Sequence, residues 1–104
     1  MREAPNATLK HIIVTLTGGN WTKLIDTNVQ RTYLMIQNNV NSHKIEVGFG
    51  TNTTAPTSGF VIDGASSNHK SHEVTFQFNV APINAVWAKA EDNHDHDLHV
   101  VYDD

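Results

Sequence analysis

The sequence predicts an all-β fold: a single antiparallel β-sandwich of jelly-roll type, with an immunoglobulin-like sandwich as the alternative. Three observations lead there. Thr, Val, Ile and Asn are abundant, and no stretch is built from the Ala, Leu, Glu and Lys that favour helices. No 3.6-residue apolar period persists over the span a stable helix needs. Eight short apolar or alternating segments are separated by Gly, Pro, Asn and Asp turn signals, and eight strands favour the jelly roll. At 104 residues the chain is one domain, an extended arm over 1–7 followed by a sandwich over 8–104. A domain this size buries roughly two-thirds of the surface its unfolded chain exposes, enough for one core.

The arm contains Pro5 and is too polar to bury. Thr8 to Thr17 reads as the first strand, with Ile12, Val14 and Leu16 on one face and Leu9, His11 and Ile13 on the other. Gly18-Gly19-Asn20 supplies a turn able to take a positive φ, and Trp21 to Ile25 follows as a short strand. Arg31 to Asn38 is apolar on both faces, Tyr33 and Met35 against Leu34 and Ile36, as an interior strand should be. Lys44 to Phe49 alternates, with Ile45, Val47 and Phe49 on the core side. The polar connection 39–43 suggests that these two strands form a hairpin. Gly50 to Gly59 is a surface loop, since Pro56 excludes it from a central strand. Phe60 to Asp63, His72 to Val80, Ala85 to Lys89 and Leu98 to Tyr102 complete the eight strands. Val74, Phe76, Phe78 and Val80 form the apolar face of the second of these, and 65–71 is a further exposed loop.

Composition narrows the function classes. Without cysteine there is no disulfide, no thiolate zinc site and no thiol chemistry. The net charge of −4, with seven Lys and Arg scattered from Arg2 to Lys89, argues against a phosphate-reading face, so no nucleic-acid partner is expected. The N-terminal residues contain no apolar run, so neither a signal peptide nor a membrane anchor is expected there.

The histidines are the one concentration of reactive side chains. His94, His96 and His99 fall within six residues, together with Asp95 and Asp97, and an extended chain puts His94 and His96 on one face. A metal-dependent jelly roll of the cupin type also carries His-x-His, but a glutamate follows a few residues later. Val100 and Val101 stand in that place here. The three histidines are therefore weak metal candidates in a hydrated acidic loop, and no cofactor is expected. No nucleophile elbow, phosphate-binding glycine loop or dinucleotide fingerprint occurs. Glu46 and Glu73 occupy the polar faces of amphipathic strands, where solubilising charge is the default, and an enzyme is not expected. Trp21, Trp87 and Tyr102 would serve a glycan- or receptor-binding module only if exposed beside polar groups. Six of the eleven carboxylates lie from Glu91 to Asp104, which reads as a solvated sheet edge. Arg31 and Glu46 read as surface-pairing charges.

One ordered set of motifs goes beyond composition. Arg31-Thr32-Tyr33-Leu34-Met35-Ile36-Gln37-Asn38 is followed by Ile45-Glu46-Val47-Gly48-Phe49-Gly50-Thr51, then by Gly59-Phe60-Val61-Ile62-Asp63-Gly64. Val80-Ala81-Pro82-Ile83-Asn84-Ala85-Val86-Trp87-Ala88 comes next, and Leu98 to Tyr102 closes the chain. This order resembles a family of small tailed-phage virion proteins with the strand pattern R-x-Y-L-x-I-Q-N, then V-x-F-G, then a turn, then V-P-x-N-A-V-W/Y-A. Ala81 is an insertion relative to that last motif, and Thr8 to Ile25 and the His-rich segment depart from the pattern. The resemblance implies a β-sandwich that decorates a virion. Such a cement protein binds the outer surface of the mature head and contacts the major capsid protein, as a dimer or trimer. A receptor- or glycan-binding module of a head or tail fibre is the alternative, and a metal-dependent jelly-roll enzyme is a third. The capsid contacts are expected in the arm, at Arg2, Glu3, Pro5 and Asn6. Two loops should add to them, through Thr53, Thr54 and Pro56 and through Asn68, His69 and Lys70.

Overall fold

A computed structural model describes residues 9–38, 44–62, 73–77, 81–91 and 95–103. Eight strands run in order: β1 (Leu9–Leu16), β2 (Thr22–Ile25), β3 (Tyr33–Asn38), β4 (Ile45–Gly50), β5 (Phe60–Ile62), β6 (Glu73–Gln77), β7 (Ala85–Ala90) and β8 (His96–Asp103). They form two four-stranded sheets, β1-β8-β3-β6 and β2-β7-β4-β5, and every pairing is antiparallel. The pairs β1·β8, β2·β7, β3·β6 and β4·β5 are those of a chain doubled back along its whole length. The pairs β3·β8 and β4·β7 then roll that ribbon into two layers. This is the jelly-roll arrangement, and it decides between the two sandwiches that strand count alone left open.

The topology corrects one expectation. β3 and β4 are not a hairpin: β3 lies between β8 and β6 in the first sheet, and β4 lies between β7 and β5 in the second. The connection 39–43 falls outside the described residues, but its two ends belong to different sheets. Period-two alternation reports which face of a strand is buried and carries no information on its hydrogen-bonding partner. Among consecutive strands only β4 and β5 share a sheet and pair.

The inward faces follow the sequence pattern with few exceptions. Leu16, Leu34, Ile36, Leu98 and Val100 from the first sheet meet Leu24, Ile25, Ile45, Val47, Ile62, Val86, Ala88 and Ala90 from the second in one core. Ile12, Val14, Val74, Phe76 and Tyr102 pack against its margin. Leu24 and Ile25 are consecutive and both belong to the core, although successive side chains of a regular strand point to opposite faces. The β2·β7 register shifts between Lys23 and Ile25, and this bulge turns both side chains inward. Phe49 departs from its predicted burial. It is 36% exposed at one end of the sandwich, where its ring centroid lies 6.0 Å from that of Phe60 and 6.1 Å from that of Phe76. The Gly18–Asn20 turn forms as predicted: Gly19 takes φ of 79°, and Asn20 N donates to Thr17 O at 3.1 Å.

The acidic C-terminal segment is also corrected. β8 begins at His96 and pairs with β1 from Leu16↔His96 to Leu9↔Asp103, while its other side pairs with β3. It is an interior strand rather than an edge. His96 is only 6% exposed and Asp103 is fully buried, so neither belongs to a hydrated loop. Asp92 and Asp104 lie outside the described residues.

Candidate functional site: a clamped loop on the second sheet

The loop from Thr51 to Gly59 does not project freely; it folds back over the outer face of β4. The sequence signal is the glycine spacing. A Cβ at position 48 would stand 2.7 Å from Pro56 Cγ, and one at position 50 would stand 2.4 Å from Thr54 O. Only glycine lets the loop lie this close to the strand, which gives the Gly48-Phe49-Gly50 sequence its physical purpose. At the far end Gly59 is held still closer, since a Cβ there would fall 2.0 Å from Val47 O.

Side chains from three strands then fasten the loop. Trp87 Nε1 on β7 donates to Thr51 O at 2.9 Å. Lys23 Nζ on β2 donates to Asn52 O at 3.1 Å and pairs with Asp26 at 2.7 Å. Thr27 N donates to Asn52 Oδ1 at 2.7 Å. Glu46 on β4 accepts from Gly59 N at 2.7 Å through one oxygen, while Lys89 Nζ lies 3.6 Å from the other. Glu46 is therefore a loop anchor rather than a merely solubilising charge. Within the loop, Thr51 N donates to Thr54 O at 3.1 Å, and Thr51 Oγ1 accepts from Thr54 N at 2.9 Å. The result is a short turn whose tip, Thr53 and Thr54, is exposed while both of its ends are fixed.

Of the candidate contact residues, Thr53 and Thr54 occupy this tip, and Pro56 is half-buried over Gly48. Arg2, Glu3, Pro5, Asn6, Asn68, His69 and Lys70 lie outside the described residues.

Arg31 is not a surface-pairing charge. It is 4% exposed, and its guanidinium donates to Pro82 O at 2.8 Å, Asn84 O at 2.9 Å and Asp26 O at 2.5 Å. Asn28 N adds a bond to Ile83 O at 2.9 Å. The arginine that opens the first motif thus ties down the Pro82-Ile83-Asn84 turn of the later one. Asp103 holds the same region from the other side. Its carboxylate accepts from Thr32 N at 2.8 Å, from Tyr33 N at 2.9 Å and from the Thr32 hydroxyl, fixing the entry to β3. Neither burial is legible in the sequence, because nothing in a strand's alternation marks a polar residue whose partners are backbone groups of distant turns. Beside them opens a cleft of about 520 Å³, lined by residues that include Lys23, Asp26, Asn28, Arg31 and Tyr102.

The aromatic side chains are already engaged. Trp21, Trp87 and Tyr102 are each half-buried. The Lys89 ammonium sits 5.0 Å from the centroid of the Trp21 ring, Trp87 spends its N–H on the loop, and Tyr102 packs on the core.

The histidines separate. His94 is outside the described residues, and His96 and His99, three apart on β8, fall on opposite faces of the strand. His96 points into the sandwich and is buried; His99 points outward, where it meets His11 of β1. Sequence reasoning misses His11 as a site residue because 88 positions separate it from His99 and only the β1·β8 register joins them. Among the described residues no group of three or more His, Cys, Asp or Glu side chains is gathered to hold a metal.

No family model, curated protein or solved structure gives a significant match to the chain.

Proposed function

We propose that this chain is a structural virion protein of the decoration type. It binds the outer surface of a tailed-phage head through the major capsid protein and stabilises the mature shell. The observation that carries the reading is the clamped loop, which offers Thr53 and Thr54 on a turn already ordered by the sheet beneath it. A contact made by a preordered loop avoids most of the entropy cost of ordering side chains and backbone on binding. A small sandwich used in many symmetry-related copies then needs only modest affinity per site, because ligands that bind only the assembled state stabilise that state by mass action.

The roles of the motif residues support the same reading. Arg31, Glu46, Gly48, Gly50 and Trp87 all serve to fix turns and loops onto the sandwich, as does Asp103 just past the last motif. That is the work of a rigid scaffold with presented loops. Placement on the capsid surface and assembly as a dimer or trimer are parts of the same proposal.

The test is direct binding. Purified protein is mixed with expanded and unexpanded heads of the phage that encodes it, and the copies bound per head are counted. Saturable binding to expanded heads, at a ratio set by capsid symmetry, is the expected result. No binding to either form would overturn the reading.

A further inference from the structure

On the opposite side of the molecule from the clamped loop, the outer face of the first sheet carries a pair of imidazoles brought together by topology alone. His11 Nε2 lies 3.0 Å from His99 Nδ1, and the ring centroids are 5.2 Å apart. The two residues are diagonal neighbours across the β1·β8 ladder, His11 standing opposite Val101 and His99 opposite Ile13. That ladder is in continuous register over eight residue pairs, so the backbones beneath the two rings are fixed relative to each other. His11 is exposed and His99 half-exposed, which leaves the space above them open to solvent.

We propose that His11 and His99 form a two-imidazole chelate for a borderline divalent transition metal such as Zn²⁺. A Zn–N bond of about 2.0–2.1 Å in tetrahedral or square geometry sets two cis nitrogens about 2.9–3.4 Å apart, and the pair already has that spacing. In the metal-free protein one N–H proton lies between the rings, one nitrogen donating and the other accepting. Binding moves that proton, by exchange through water, to the distal nitrogen of its own ring, so both rings stay neutral and both facing nitrogens are free to coordinate. The two nitrogens face each other along the contact, so both rings turn to aim their lone pairs at an ion lying to one side of it. Imidazole nitrogen suits Zn²⁺, Cu²⁺ and Ni²⁺ and disfavours Mg²⁺ and Ca²⁺. Water or a ligand from outside the chain completes the coordination, since the described residues supply no third donor group there. This site differs from the His94, His96 and His99 cluster suggested by sequence: it keeps His99, replaces a local neighbour with His11, and uses none of the buried imidazole of His96.

The experiment uses the full chain and Zn²⁺ alone, with binding followed by calorimetry and by the histidine ring signals in NMR. One saturable Zn²⁺ site is expected, with the rings of His11 and His99 shifting together. The variants His11→Ala and His99→Ala should each weaken it on the order of 100-fold, the loss that follows when an intramolecular second ligand is removed. Because metal competes with protons for the same nitrogens, affinity should fall as the pH is lowered. His94→Ala should leave the site unchanged and serves as the control. Undiminished Zn²⁺ affinity in both His11→Ala and His99→Ala, with both variants giving the wild-type spectrum elsewhere, would overturn the proposal. So would a loss of binding on His94→Ala.

Discussion

The two outer faces of the sandwich are built on opposite plans. The second sheet, β2-β7-β4-β5, is stripped to glycine at Gly48 and Gly50 so that a loop can lie on it, and its outward side chains Trp87, Lys23 and Glu46 all reach that loop. The first sheet, β1-β8-β3-β6, keeps full side chains on its outer face. Leu9 and Ile13 are each 56% exposed beside the His11–His99 pair, and no described loop is held against them. The same topology thus yields one face that presents a loop and one that presents strands. What distinguishes them is the side-chain volume allowed on the strand, since a glycine admits a backbone where any other residue would exclude it.

Substitutions should separate the roles by size of effect. The largest loss is expected on the first sheet, from Asp103→Ala. It strands the Thr32 and Tyr33 amides and the Thr32 hydroxyl beside a fully buried position, at a cost of about 3–5 kcal/mol. Urea denaturation should show the midpoint falling with little change in slope. Next comes Gly50→Ala on the second sheet, where the new methyl collides with Thr54 O. A destabilisation of about 1–3 kcal/mol is expected, along with a shift in Trp87 fluorescence as the loop lifts away. A stable Gly50→Ala protein with an unchanged spectrum would break the contrast between the faces.

Smaller effects sharpen it. Trp87→Phe keeps an aromatic ring and removes one hydrogen bond to Thr51 O, which should cost about 0.5–1.5 kcal/mol and loosen the loop without opening the core. His11→Ala, on an exposed strand position, should change stability by no more than about 0.5 kcal/mol in metal-free buffer. A large loss from His11→Ala would mean that the first sheet's outer face also serves the fold.

Legibility in the sequence depends on the range of the interaction. Strand positions along the chain and their burial faces come from period-two alternation within a few residues, and β1, β3, β6 and β7 follow their sequence patterns closely. Sheet membership is a property of pairs, so the β3–β4 connection looks like a hairpin even though both strands lie where the pattern puts them. The start of β8 is hidden for a related reason. His96 and Asp97 look like loop residues, yet β1 supplies ladder partners for both, and this outweighs their low strand preference. The buried roles of Arg31 and Asp103 rest on backbone atoms 53 and 70 positions away, beyond any local pattern. The Gly48 and Gly50 spacing is the one local clue to the clamped loop. Its sense becomes plain only once Pro56 and Thr54 are seen lying over it.

The central claim is that the clamped loop faces the capsid, and head occupancy tests it most directly. Wild-type protein and a Thr53→Lys, Thr54→Lys variant, which alters only the exposed tip, are titrated onto expanded phage heads at matched stability. The account predicts saturable wild-type occupancy and a drop of at least about tenfold in apparent affinity for the variant, as expected when two contact residues worth about 1 kcal/mol each are replaced. Equal occupancy by both proteins would contradict it.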